Sequence, residues 1–120
     1  MYKTFTEMPM WKQALGVSTR IFHMTDALPR KEDYGLTSQI RRSVNSIGAN
    51  IAEGFGRKHI KEKIRFYYIA RGSAYETMHH LLYGKEVAYF TKEDVDSIID
   101  ELERIALELN RIIKSLGDFV

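Results

Sequence analysis

Nine apolar residues between Thr91 and Gly117, Val95, Ile98, Ile99, Leu102, Ile105, Leu109, Ile112, Ile113 and Leu116, fall in near-heptad order, three or four positions apart except for the adjacent pairs Ile98-Ile99 and Ile112-Ile113. That near-heptad spacing lays them along one side of an α-helix and leaves the segment few other ways to hide them from water. Thr91 with Asp94 gives the start of such a helix the pattern of a capping box, and Gly117 closes it. A second stripe is as regular: Leu36, Ile40, Val44, Ile47, Ile51 and Phe55 are spaced four, four, three, four and four. This helix starts near Tyr34 to Leu36 and is expected to stop at Gly56 in a left-handed cap, with Arg57, Lys58 and His59 forming a short turn.

The remaining segments follow the same period. From Pro9 to about Leu28, Trp11, Leu15, Phe22 and Leu28, with Ile21 and the small Ala14 and Ser18, fall near 3.6 residues apart, and Pro29 forbids continuation. From about Ile60 to Tyr89, Ile64, Tyr67, Tyr68, Ala74, Met78, Leu81 and Leu82 are available for a buried side. Strand-like alternation is absent. The reading is an all-α, up-down-up-down antiparallel four-helix bundle in a single domain, residues 1–120, with helices at about 9–28, 35–55, 60–89 and 91–116. Helices of this size make a bundle about 30 to 40 Å long at 1.5 Å per residue.

With no cysteine, disulfides, thiolate metal sites and cysteine catalysis are excluded. No apolar run approaches the roughly 20 residues that span a bilayer, and MYKTFTEMPMWK lacks the apolar region of a signal peptide. A cytoplasmic protein with no membrane partner is expected. The net charge is +2, yet residues 91–120 carry eight acids against four bases, so residues 1–90 hold +6. One side of the molecule is suited to polyanions and another repels them.

No Gly-rich phosphate loop precedes a helix, because GFGRK ends one instead. Glu76 and His79 make a single Glu-x-x-His pair where a di-iron bundle needs two, and the adjacent His79 and His80 point to different sides of their helix. No nucleophile, base and orienting group can be placed together. Neither an enzyme nor a cofactor or metal is expected. The segment RKHIKEKIR is the stronger feature: Arg57, Lys58, Lys61, Lys63 and Arg65 share it with one acid, Glu62. Such a cluster is either a phosphate-binding surface, with His59, Tyr67 and Tyr68 near enough to stack on unpaired bases, or a solvated helix start.

Arg41 and Arg42 face two readings as well. If the second and third helices pair about a turn near residue 58, position 42 lies beside 75, and either arginine can bond Glu76 rather than a ligand. The same register sets Asn50 and Glu53 near Arg65 and Glu62. By this reasoning Arg42 leans toward structural duty and Arg57 toward ligand contact. Ser43, Ser46, Gly48, Ala49 and Ala52 let a neighbouring helix come close. Tyr2, Phe5, Trp11, Tyr34, Tyr75, Tyr83, Tyr89, Phe90 and Phe119 exceed what one slender bundle hides, which argues for self-association.

YGLTSQIRRSVNSIGANIAEGFGRK followed by FYYIARGSAYE resembles the bacterial four-helix-bundle proteins first noticed as products of intervening sequences in 23S ribosomal RNA genes. The shared positions include Tyr34, Gln39, Arg41, Arg42, the run Asn50 to Gly54 with its Glu53, Arg57, Ile69 to Ser73 with its Arg71, and Glu76. The resemblance implies an up-down bundle and a ring-shaped homopentamer. The chain is also similar to the accessory variability protein of diversity-generating retroelements, a pentameric barrel that binds nucleic acid through positive residues and partners a reverse transcriptase. By that analogy Arg41, Arg42, Arg57, Lys58, Lys61, Lys63 and Arg65 are the candidate nucleic-acid contacts. Trp11, Tyr34, Asn50, Glu53, Arg71 and Glu76 are the candidate interface or structural residues. Gly48 stands where relatives usually have proline, and Thr77 to His80 replace a Glu-Leu-Glu-Thr-Gln-like run. The expected function is a noncatalytic homo-oligomer that binds RNA or DNA with little base specificity; the alternative is a scaffold for a protein partner.

Overall fold

The computed structural model describes residues 1–120. Four helices carry the chain: α1, Pro9–Thr25; α2, Leu36–Gly56; α3, Ile60–Glu86; and α4, Lys92–Gly117. Short 3-10 turns, Phe5–Glu7 and Arg30–Glu32, precede α1 and α2, and there is no strand. The molecule measures 47 × 22 × 20 Å, longer than the expected bundle, and α3 with its 27 residues accounts for about 40 Å of that length.

Pro9 occupies the first turn of α1, where its missing N–H costs nothing. The helix ends at Thr25, short of the expected Leu28. Thr25 Oγ1 donates to the carbonyls of Ile21 and Phe22, at 2.8 and 3.0 Å, and Leu28 precedes a proline that disfavours helical backbone. The buried side is Met10, Ala14, Val17, Ile21 and Thr25. Leu15 and Phe22, expected in the core stripe, instead stand half exposed. Their places at the α2 contact go to smaller neighbours that allow closer approach: a Cβ on Gly48 would sit 3.8 Å from that of Ala14.

The α2 stripe packs as expected, with Leu36, Ile40, Val44, Ile47 and Ile51 buried and Phe55 partly so. Ser43 Oγ and Thr77 Oγ1 meet at 2.9 Å, as do the Oγ atoms of Ser46 and Ser73. A Cβ on Gly54 would approach Tyr67 Cε1 to 2.7 Å. Rising numbers on α2 thus meet falling numbers on α3, so the two helices are antiparallel and held close by small side chains. Ser18 Oγ donates to the Val44 carbonyl and Arg71 reaches Asn110, which extends the same opposed order to α1–α2 and α3–α4. Arg20 closes the ring of helices by bonding Ser97 Oγ at 2.9 Å and Glu101 at 3.3 Å.

Inside α3 the buried residues are mostly small: Tyr67, Ala70, Ala74, Thr77, Met78, Leu81 and Gly84. Tyr68 and Leu82, expected inward, face solvent. The helix ends at Glu86 rather than Tyr89 because Ala88 turns left-handed, with φ 67°, and the N–H groups of Tyr89 and Phe90 fold back on the Gly84 carbonyl. No glycine has a positive φ, so the left-handed cap expected at Gly56 is not there. In α4 the Thr91 hydroxyl accepts the Asp94 N–H at 3.2 Å, and Val95, Ile98, Leu102, Ile105, Ala106, Leu109 and Ile113 fill the core. No helix is long and apolar enough to cross a membrane.

The two ends of the bundle differ. At one, Tyr89 donates its hydroxyl to Glu32 at 2.9 Å while the Leu36 N–H reaches the other carboxyl oxygen at 3.1 Å, so one carboxylate ties the α1–α2 connection to the α3–α4 turn. The Leu36 N–H and then the Tyr89 hydroxyl hold Glu32 below the usual carboxylate range. At the other end sits the α2–α3 turn with its basic run.

Candidate nucleic-acid interface

The α2–α3 turn forms because α2 stops at Arg57, whose backbone is extended (φ −77°, ψ 144°), and His59 re-enters in the same extended region. Five cations leave this turn, and they divide by what they touch. Arg57 is occupied within the fold: it pairs with Glu53 at 2.9 Å and Glu62 at 3.6 Å and lies over the Phe66 ring, 4.7 Å from its centroid. Lys63 donates to the Phe55 carbonyl at 2.8 Å, and to the Gly54 carbonyl, which also accepts the Arg57 N–H, at 3.3 Å, so it caps the end of α2. Lys58, Lys61 and Arg65 are exposed and have neither a carboxylate nor a hydrogen-bond partner. Arg57 and Lys63 hold the turn; Lys58 and Lys61 present their charge to solvent, and Arg65 does so while lying 5.2 Å from the centroid of the Phe66 ring.

The expected pairing of Arg41 or Arg42 with Glu76 does not form. Arg41 turns back to α1, where Nε donates to Thr25 Oγ1 at 2.8 Å and Nη2 reaches both the Phe22 carbonyl and Asp26 at 3.1 Å. Its guanidinium also covers the Phe22 ring, 4.3 Å from the centroid. Arg42, read as structural, is exposed and unpaired, and it flanks a groove between α1 and α2 that Leu15, Ser18, Phe22 and Asn45 also line. Arg57 is thus engaged within the fold, and Arg42 is not. One residue of helical phase separates Arg41 from Arg42, about 100°, and that rotation decides which meets α1.

Glu76 bonds His80 Nε2 at 3.1 Å within its own helix. Asn50 Nδ2 likewise stays local, donating to the Ser46 carbonyl and hydroxyl at 2.8 and 2.9 Å, while Glu53 connects to Glu62 only through Arg57 and not to Arg65. Trp11 packs edge-on against Phe5, 5.0 Å between centroids, and rests beside Gly48. Tyr34 is 97% exposed. Arg71 donates to Asn110 Oδ1 at 2.7 Å and lies 4.8 Å above the Tyr68 ring. No three His, Asp or Glu residues converge where they could hold a metal ion.

Of the aromatic residues expected beside the basic run, Tyr67 is withdrawn into the core at 2% exposure, and burial raises its hydroxyl pKa. Tyr68 is 46% exposed, and Tyr75, two turns along the same helix, is 54% exposed. By sequence Tyr75 counts only as surplus aromatic surface. The spacing of Lys61, Arg65, Tyr68, Gly72, Tyr75 and His79, alternately four and three residues, was the available signal, because it describes one outward stripe.

No match was found among curated proteins. Among solved structures, the chain is similar to a protein of unknown function from the S23 ribosomal protein family of Bacteroides thetaiotaomicron. The two share 29% identity with a TM-score of 0.79, over 88% of this chain and 98% of that one. The family model for the 23S rRNA-intervening sequence protein matches residues 6–111, and the chain belongs to that family.

Proposed function

We propose that the protein is a noncatalytic, homo-oligomeric helical bundle of the cytoplasm that binds RNA or another nucleic acid through phosphate contacts at its α2–α3 end. The observation that carries this reading is the set Lys58, Lys61 and Arg65, three exposed and unpaired cations within eight residues. By contrast Arg104 and Arg111 on α4 are each paired with an acid on the same helix, Asp100 and Glu108. Exposed Arg42 adds charge on α2, and Arg57 and Lys63 add to the local potential while holding the turn. The resemblance to pentameric relatives supports a ring, which would repeat the cationic end around an axis and turn weak contacts into avidity.

Replacing Lys58, Lys61 and Arg65 together by glutamine tests the reading. Each phosphate contact to a single strand contributes about 0.7 to the slope of log affinity against log salt. The triple variant should therefore lose about 2 from that slope for each subunit engaged. An unchanged slope sinks the proposal.

A second reading rests on a different observation. Leu15 and Phe22 stand half exposed along the α1–α2 groove, which suits the docking of a protein partner or of another subunit. A co-purifying protein with no nucleic-acid absorbance would favour that scaffold role.

A further inference from the structure

We infer that the nucleic acid is single-stranded and that its unpaired bases stack on Tyr68 and Tyr75 while Lys61 and Arg65 hold its phosphates. This rests on the nucleic-acid reading above and goes beyond it, from an electrostatic end to a track along the outer face of α3.

The stripe Lys61, Arg65, Tyr68, Gly72, Tyr75 and His79 is exposed throughout. Its basic part lies nearest the α2–α3 turn and its aromatic part follows. That is the combination by which single strands are held without sequence preference: cations along the backbone, rings under the bases. Neither tyrosine hydroxyl makes a hydrogen bond within the chain, so the fold does not tie these rings down by their polar ends. The Arg71 guanidinium covers part of Tyr68 and is itself anchored on Asn110, which orients the ring and adds a cation beside it.

Between the two rings lies Gly72, where an added Cβ would meet nothing within 4 Å. Tyr68 and Tyr75 are therefore separated by a bare stretch of helix, their positions about 10 Å apart along its axis at 1.5 Å per residue. A strand can lie against that floor and place a base on each side of it.

Geometry also disfavours a duplex. Paired bases keep their faces stacked on one another, out of reach of rings standing on a convex helix. A duplex laid over α3 also carries phosphates on both sides of a major groove about 12 Å wide. Glu103 of α4 shares a surface groove with Tyr75 and Leu107, so that acid stands beside the ring for either form, and the discrimination rests on the stacked faces of paired bases.

The test is fluorescence anisotropy on the intact protein with a labelled oligouridine strand, alongside a duplex of equal length, at several salt concentrations. The expected result is single-strand binding with the duplex at least about tenfold weaker, and a loss of about tenfold or more for Tyr68→Ala or Tyr75→Ala with the salt slope unchanged. Tyr75→Phe should bind like the parent, since a ring remains. Gly72→Leu should also weaken binding by obstructing the floor, although it replaces glycine with a better helix former. Salt-dependent binding that is indifferent to the tyrosines, or equal for duplex and single strand, overturns the stacking track and leaves the electrostatic reading standing. A change in oligomer mass in the tyrosine variants, with affinity per subunit unaltered, overturns it by making this face a subunit contact. Failure to bind either nucleic acid defeats both readings at once.

Discussion

Helices α3 and α4 are nearly equal in length, 27 and 26 residues, yet they treat their outer faces in opposite ways. On α4 most large side chains go inward, Leu107 alone standing half exposed, and the outward charges are largely answered in place: Lys92 by Asp96, Arg104 by Asp100, Arg111 by Glu108. On α3 four of the seven buried residues are small, Ala70, Ala74, Thr77 and Gly84, beside Tyr67, Met78 and Leu81, while Tyr68, Ile69, Tyr75, Leu82 and Tyr83 go out. A helix that only had to complete the core would gain by the reverse arrangement, since an exposed tyrosine contributes little to folding. The difference teaches that α4 is a structural helix with a solvated back. The outer face of α3 carries more apolar surface than the fold requires.

The largest expected effect breaks the comparison from the α4 side. Leu102→Ala, at a fully buried position, should cost about 2–5 kcal/mol in chemical denaturation, whereas Tyr75→Ala on the back of α3 should stay within about 0.5 kcal/mol. Comparable losses would mean that the outward tyrosine is part of the fold. Next is the α2 position that meets the inner face of α3: Gly54→Ala brings a Cβ to 2.7 Å from Tyr67, and that overpacking should cost about 1–3 kcal/mol by the same measurement. Ala88→Gly relieves a left-handed alanine in the turn that joins the two helices and should stabilise by about 1 kcal/mol, read as a raised melting temperature. Gly72→Ala, on the bare outer stretch of α3, should add about 0.5–1 kcal/mol through helix propensity alone.

The smallest effect is a pH dependence at the end of α3. Glu32 is held below its usual range in the folded protein, so its contribution is present above the unfolded carboxylate pKa and is lost as pH falls through the lower folded value. Glu32→Gln should flatten that acid limb of the stability profile while leaving the rest of it in place. An unaltered acid limb would show that the clasp to Leu36 and Tyr89 contributes nothing.

The sequence made α2 and α4 legible because their cores use Leu, Ile and Val at regular steps, and a one-residue error of phase would have buried charges. It was less informative for α1 and α3, where apolar residues occur on more than one side. In α1 the buried set runs through Ala14 and Val17 and passes over Leu15 and Phe22, because closeness to Gly48 outweighs the area of a larger side chain. In α3 Tyr67 and Tyr68 are adjacent, and only the register with Gly54 selects Tyr67 for the core. At the candidate site the basic run was plain, but its division into cations that hold the turn and cations left free was not. That division depends on where the Gly54 and Phe55 carbonyls and Glu53 come to lie, which is a matter of three-dimensional packing. The partner of Arg41 escaped for a similar reason, since Asp26 lies in a turn whose path followed from the early end of α1.

The most direct test of the central claim is light scattering on the purified protein, alone and with single-stranded RNA, at low and high salt. The account predicts a mass several times the 14.0 kDa of one chain at both salts, increased by RNA at low salt and restored when salt screens the phosphate contacts. An oligomer whose mass RNA never changes would contradict it and leave the outer face of α3 to a protein partner.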